Sequence, residues 1–200
     1  MITTTEQEMA VTPADWVAGP QQGHWTYNHY ATLPEDGQHY EIVAGVLYMT
    51  PSPNKSHQDA VLWFSHYLLL YVRIAGLGQV FVAPFDVELA PDVVVQPDIV
   101  VVLNAGLEKI TPTRIIGPPD LVVEVSSPGT AGYDRHIKQD AYARAGIQEY
   151  WIADPAAQTV EVLLLEGGGY YSLGVFSGQM RLSSRVVPTI TEVQVEQFFA

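Results

Sequence analysis

Short apolar runs alternate with clusters of turn-forming residues along most of the chain, and this pattern predicts many short strands. Residues 40–49, YEIVAGVLYM, predict a β-hairpin with its turn at Ala44-Gly45. Further strands are predicted over residues 79–83, 85–90, 98–103, 120–127 and 149–154, and a second hairpin over 159–166 and 170–176. Residues 104–118 predict a connecting loop with a helical turn.

Helical patterns occupy residues 25–33, 57–74 and 134–146. Ser56 is the expected N-cap of the second helix. Apolar residues cover so much of this helix that it should lie in the core. Asp134 is expected to cap the third helix, and Gly146 to end it.

This order of elements predicts an α/β (α+β) fold with a mixed central β-sheet flanked by helices. A doubly wound fold is excluded because helices do not alternate with strands. Residues 1–23 are rich in turn-forming and polar residues and have no periodicity, so we expect a flexible N-terminal arm. Residues 24–200 are then expected to form a single domain.

The composition of the chain bears on the cellular compartment in which the protein is expected. No apolar run reaches the roughly 20 residues of a membrane span. The first residues are polar and acidic, unlike a signal peptide, so a cytoplasmic protein without a membrane partner is expected. The absence of cysteine excludes disulfides and thiolate metal sites.

The charge argues against a general nucleic-acid binder, because 22 acidic and 9 basic residues give a net charge of −13. The basic residues are unevenly placed, however, and five of them lie within 36 residues of one another. These five are Lys109, Arg114, Arg135, Lys138 and Arg144. A local positive surface is therefore an open prediction.

Candidate chemistry begins with the run VVVQPDIVVV, residues 93–102, because Pro97-Asp98 interrupts an otherwise apolar strand. Glu124 lies within another apolar strand, LVVEV, and Lys138 follows it by 14 residues. Two carboxylates on adjacent strands can share a hard cation such as Mg²⁺. A nearby lysine can contact a phosphate or orient an attacking water, so the set suits metal-assisted phosphodiester hydrolysis.

Each residue also has a structural interpretation. An aspartate at a strand end can simply be solvated, and a glutamate and a lysine can form a structural ion pair. Glu124 differs from Asp98 because a carboxylate among valines should be buried and must then have a partner. Nucleotide-binding folds lack support, since neither G-x-G-x-x-G nor G-x-x-x-x-G-K-[ST] occurs.

Three segments resemble the Uma family of bacterial restriction-endonuclease-like proteins. They are QPDIVVV at 96–102, GPPDLVVEVSSPGT at 117–130 and DRHIKQDAYARAGIQEYWIADP at 134–155. Residues 33–58 match the N-terminal half of the family, and the resemblance covers roughly residues 24–199. It implies a PD-(D/E)XK nuclease core preceded by a β-hairpin, which uses Mg²⁺ or Mn²⁺ to cleave DNA.

The resemblance also implies roles for individual residues. Asp98 and Glu124 would be metal ligands, as the two carboxylates of the family motif. The superfamily's lysine normally lies two residues after the second carboxylate, but Ser126 is found here. Lys138 resembles the family's helix lysine and would replace it.

Two further positions match the family. Glu41 in the predicted hairpin would be a third metal ligand or a base, and His57 would be an accessory residue at the start of the core helix. Glu41 could instead be an exposed hairpin residue, and His57 could cap its helix or form a hydrogen bond in the core.

We therefore predict a Mg²⁺-dependent endonuclease, and a homodimer because cutting both strands requires two active sites. One alternative is a non-catalytic interaction module that keeps the nuclease fold, which the net charge and Ser126 favour. Another is a metal-dependent hydrolase of a small phosphate ester, which an acidic surface would tolerate better than DNA.

Overall fold

The computed structural model describes residues 10–200, so residues 1–9 of the predicted arm lie outside the described residues. Its strands are β1 (Thr12–Pro13), β2 (His39–Val43), β3 (Val46–Thr50), β4 (Gly78–Val82), β5 (Asp86–Ala90), β6 (Val93–Val95), β7 (Ile99–Leu103), β8 (Arg114–Ile116), β9 (Leu121–Val125), β10 (Glu149–Asp154), β11 (Thr159–Glu166) and β12 (Gly169–Ser177). The described part of the predicted arm contributes β1, which pairs with β3.

The strands form two six-stranded mixed sheets. The first has the order β1-β3-β2-β6-β5-β8, and the second has the order β12-β11-β10-β9-β7-β4. The predicted α/β class with mixed strand pairing is confirmed, but the strands divide between two sheets where the sequence predicted one. The division falls inside the VVVQPDIVVV run, because β6 belongs to the first sheet and β7 to the second.

Both predicted hairpins are confirmed. In the β2–β3 hairpin, Ala44 and Gly45 have φ angles of 52° and 71°, the positive values that a two-residue type I′ turn requires. The region 104–118 differs from its prediction, because it contains the short strand β8 as well as a 3₁₀ helix over Asn104–Lys109. Strand β8 pairs in parallel with β5.

The helices are α1 (Tyr27–Tyr30), α2 (Lys55–Leu68) and α3 (Gln139–Ala145). Helix α2 continues as a π-helical segment over Leu69–Ile74, and another π-helical segment, Tyr133–Lys138, leads into α3. The prediction of Ser56 as N-cap is wrong, since the Asn54 side chain accepts the hydrogen bond from the His57 amide. Gly146 ends α3 as predicted, with a φ of 88°.

The second sheet is covered on both faces, which explains its continuous apolar strands. Phe64 and Leu68 of α2 pack on one face, together with Trp151 of the sheet. Tyr142 of α3 packs on the other face, where residues of the first sheet such as Val87 complete the core. No helix within residues 10–200 is long and apolar enough to cross a membrane.

Candidate active site

Residues 96–98 cross from the first sheet to the second. At one end they bind the Glu41 carboxylate of the first sheet, and at the other Asp98 binds the second sheet. The backbone amide of Gln96 donates to Oε1 of Glu41 on β2, at 2.7 Å. Asp98 lies directly before β7, and its Oδ2 accepts a hydrogen bond from the Val125 amide of β9, also at 2.7 Å. The interruption of the apolar run is therefore the point where the chain changes sheets, and it places Asp98 at the junction between them.

Lys138 joins the two buried glutamates of the site. Its Nζ lies 2.9 Å from Oε1 of Glu41 and 2.9 Å from Oε1 of Glu124. All three residues are at most 4% exposed, so Glu41 is not the exposed hairpin residue of the alternative interpretation. One lysine from the helix thus bridges a carboxylate of each sheet.

Sequence reasoning missed two residues of this cluster, Asp134 and Tyr142. The Tyr142 hydroxyl donates to Oε1 of Glu124 at 2.6 Å. The prediction that Asp134 is an N-cap is wrong, because the helical backbone begins before it. Its side chain is buried instead, and its Oδ2 accepts a hydrogen bond from the Ser126 hydroxyl. Tyr142 lies four positions after Lys138, and this i, i+4 spacing was a usable signal, whereas Asp134 lies in the π-helical segment, to which the α-helical spacing does not apply.

His57 lies at the opposite wall of the site. Its Nε2 donates to Oδ2 of Asp98 at 3.1 Å, which brings it to the site as expected of an accessory residue. Its Nδ1 is buried and has no hydrogen-bond partner among residues 10–200. His57 is not the helix cap, a position that Asn54 occupies, and its imidazole contacts Asp98, a candidate metal ligand.

Burial and charge shift the pKa values of the cluster. Burial raises the pKa of the Glu124 carboxyl well above its usual range, although the Lys138 cation opposes this. Burial alone would lower the pKa of Lys138, but attraction to Glu124, Glu41 and other nearby carboxylates raises it well above the ordinary value. Lys138 is therefore protonated at neutral pH and acts as a fixed positive charge.

Asp134 should make stability fall as pH rises. Burial raises its pKa from 3.8 to about 6, so the folded state binds more protons than the unfolded state between these values. The free energy of unfolding should therefore decrease from about pH 4 to about pH 6, by up to about 3 kcal/mol from this group. Asp134→Asn should remove this part of the slope in urea titrations performed across that pH range.

Asp140→Asn is the matched control for this measurement, because Asp140 lies on the same helix with a side chain 75% exposed. It should leave the slope of stability against pH unchanged. A wild-type slope in the Asp134→Asn variant would show that the Asp134 carboxyl does not titrate with this raised pKa.

The predicted site residues converge on one cleft of about 840 Å³. Its walls include all five of them, Glu41, His57, Asp98, Glu124 and Lys138. The cleft lies between the two sheets, with α2 on one side and the helical segment of Lys138 on the other.

The donor set of the cleft suits a hard cation. No group of three or more His, Cys, Asp or Glu side chains within residues 10–200 is arranged to hold a metal ion. Mg²⁺, however, usually binds one or two carboxylates and keeps several waters. Oε2 of Glu41 is buried without a hydrogen-bond partner among the described residues, and such an oxygen is a suitable ligand.

The predicted positive surface does not form. Four of its five residues are paired with carboxylates, and the fifth, Lys109, donates to the carbonyl of Pro118. The pairs are Arg114 with Glu88, Arg135 with Glu161, Arg144 with Asp140, and Lys138 with both Glu41 and Glu124. These basic side chains therefore offer little free positive charge to a phosphate backbone.

Comparison with known proteins agrees with this fold. A solved structure titled as a "putative nuclease belonging to DUF820" from Anabaena variabilis ATCC 29413 has a TM-score of 0.71 and 21% sequence identity. The match covers 87% of this chain and 97% of that chain. No curated protein matches the chain.

The family comparison covers most of the chain. The model of the Uma2 family, described as "Putative restriction endonuclease", matches residues 27–196. This range includes both sheets except β1, and every residue of the cleft named above. The resemblance found in the sequence is thereby confirmed, and the chain belongs to the Uma2 family.

Proposed function

We propose that this protein is a Mg²⁺-dependent endonuclease that hydrolyses DNA phosphodiester bonds. The observation that carries the proposal is the convergence of Asp98, Glu124 and Lys138, from two strands' ends and a helix, on one cleft. Burying carboxylates and a lysine costs desolvation free energy during folding, and buried titratable groups of this kind cluster at functional sites.

The residues of the cleft would have different roles in the reaction. Asp98 and Glu124 would hold Mg²⁺, or Mn²⁺, with waters completing the coordination, and Glu41 would join them through Oε2 after its side chain turns toward the ion. The bound ion would polarise the scissile phosphate and activate a water. Lys138 would stabilise the negative charge of the transition state and position the water. It would not act as the base, since the surrounding carboxylates raise its pKa.

His57 would act through Asp98. Its hydrogen bond to Oδ2 and that of the Val125 amide hold the same carboxylate oxygen, and among residues 10–200 no hydrogen bond holds Oδ1 away from a cation. We therefore assign His57 a positioning role. Cutting both strands of a duplex requires a second active site, so the proposed nuclease works as a homodimer.

A direct test is conversion of supercoiled plasmid to the open circular form. We expect nicking with Mg²⁺ or Mn²⁺ and none with EDTA. Isothermal titration calorimetry should show Mn²⁺ binding that Asp98→Ala weakens by at least about tenfold. Asp140→Ala, an exposed carboxylate outside the cleft, should bind and nick like the wild type.

The other outcomes separate the alternatives. Metal binding with hydrolysis of a small phosphodiester but an intact plasmid would assign the site to small phosphate esters. A wild type that binds no metal would leave a non-catalytic module, and two observations favour that as the second candidate. Both glutamates hold Lys138 through their Oε1 atoms, and the predicted positive surface is neutralised by ion pairs.

A further inference from the structure

One face of α2 and its π-helical extension presents apolar residues to solvent. Leu62 and Ile74 are 68% and 69% exposed, and Leu69 and Leu70 are also exposed. These four residues are called the leucine stripe below. The opposite face of the same helix is in the core, so the stripe is not explained by the packing of this chain. Contiguous exposed apolar surface of this kind marks an interaction site.

The stripe lies in a long stretch of chain that carries no negative charge. Residues 60–85 contain no Asp or Glu and one basic residue, Arg73, although the chain as a whole has a net charge of −13. Two copies of such an acidic protein repel each other over most of their surfaces. Along this helix they can approach each other with little repulsion.

The exposed face of this helix is also complementary to the same face of a second, antiparallel copy. Counted from His66, Asp59 lies seven residues before and Arg73 seven residues after. Leu62 lies four residues before, and Leu70 four residues after. Offsets of four and seven fall on one face of an α-helix, and Asp59 and Leu62 follow this spacing from His66. Leu70 and Arg73 lie in the π-helical extension, and all of these side chains are at least partly exposed.

We propose that two copies of this chain associate through this face, with the two α2 helices antiparallel about a two-fold axis near His66. In this arrangement Leu62 contacts Leu70 of the second copy, and the contact occurs twice by symmetry. Arg73, which forms no ion pair among residues 10–200, faces Asp59 of the second copy. Asp59 is half exposed and already pairs with the exposed Lys55, which leaves it room for a second cation.

None of the residues proposed at the interface lines the cleft. His57, which lines the cleft, is nine residues from the axis position. At 1.5 Å per residue the two clefts lie about 27 Å apart along the helix pair. The dimer would supply the two active sites that the proposed nuclease needs, but the association does not depend on the chemistry of either one.

The test is the mass of the 22.0 kDa chain in solution, measured by sedimentation equilibrium at several concentrations. The wild type should be a dimer, and Leu70→Glu should be monomeric at concentrations where the wild type is not. Val175→Glu is the matched control, because Val175 is 55% exposed on β12, away from α2. It should leave the mass unchanged.

A charge exchange tests the axis itself. Arg73→Asp should weaken association by at least about tenfold, because the attraction to Asp59 of the second copy becomes a repulsion between two carboxylates. Adding Asp59→Arg to Arg73→Asp should restore the dimer, and circular dichroism should show that every variant is folded. A monomeric wild type would overturn the proposal, as would a dimer insensitive to Leu70→Glu. A monomer that binds lipid vesicles through the stripe would overturn it as well. None of these measurements requires DNA or metal, so they are independent of nicking.

Discussion

Glu124→Gln should lower the rate of Mg²⁺-dependent plasmid nicking by about 10²–10³-fold, while the protein remains folded. The amide is a neutral and much weaker ligand for Mg²⁺ than the carboxylate. Its oxygen can still accept from the Lys138 ammonium and the Tyr142 hydroxyl, the two donors that Oε1 of Glu124 accepts from now. Glu41 still compensates the Lys138 charge, so the free energy of unfolding should fall by only about 1–3 kcal/mol in urea titrations, less than in Lys138→Met.

The neighbouring strand provides a matched control, since Glu149 is also fully buried but lies outside the cleft. Its two oxygens accept from the Trp151 indole and from the amides of Arg185 and Val186. Glu149→Gln directs an NH₂ group at one of these donors, so it should cost about 1–3 kcal/mol of stability. Its nicking rate per folded molecule should match the wild type.

The two variants thus separate chemistry from folding. If Glu149→Gln lost as much activity as Glu124→Gln, the loss would reflect instability. If Glu124→Gln nicked at the wild-type rate, Glu124 would have no part in the reaction.

The elements of this fold could be predicted wherever the signal is local. The Ala44-Gly45 turn and the Gly146 stop depend on the backbone conformations of one or two residues, and both appear as predicted. The division into two sheets could not be predicted, because strand partners are far apart in sequence. Strand β6 pairs with β2 and β5, whereas β7, four residues later, pairs with β4 and β9.

The candidate site was also predicted only in part. A carboxylate in an apolar strand is visible in the sequence, so Asp98 and Glu124 were found from their neighbours. That Glu41 is buried depends on the first sheet closing over the second, which no local pattern shows. Asp134 and Tyr142 were missed, although the spacing of four residues from Lys138 to Tyr142 is that of neighbours on one helix face. The π-helical segment that carries Asp134 also gives no recognisable sequence pattern.

Lys138→Met should have the largest effect on stability of any substitution in the cleft. The change leaves Glu41 and Glu124 buried without the cation that now lies 2.9 Å from each. Breaking a buried ion pair by removing one partner costs about 3–5 kcal/mol, because the remaining charge is uncompensated. Urea titration at pH 7 should show this loss, and nicking should be undetectable in the same preparation.

The pH dependence of the loss tests its cause. Burial already raises the pKa of Glu124, and removal of Lys138 should raise it further. As the pH falls, the carboxyl becomes neutral and no longer needs the cation, so the stability difference between wild type and variant should shrink. Lys109→Met is the control, because Lys109 is half-buried and donates to a carbonyl, not to a carboxylate. Its smaller loss should not depend on pH in this range.

A divalent cation should partly replace the missing lysine. On the proposed function, Mg²⁺ or Mn²⁺ at the carboxylates would supply the positive charge that Lys138→Met lacks, and a ligand that binds only the folded state raises its stability. The melting temperature of Lys138→Met should therefore rise more with added Mn²⁺ than that of the wild type. An equal rise in both would mean that the metal does not bind among these carboxylates. No destabilisation of Lys138→Met at pH 7 would mean that Glu41 and Glu124 are not both charged there, and the ion-pair geometry would then have no electrostatic role.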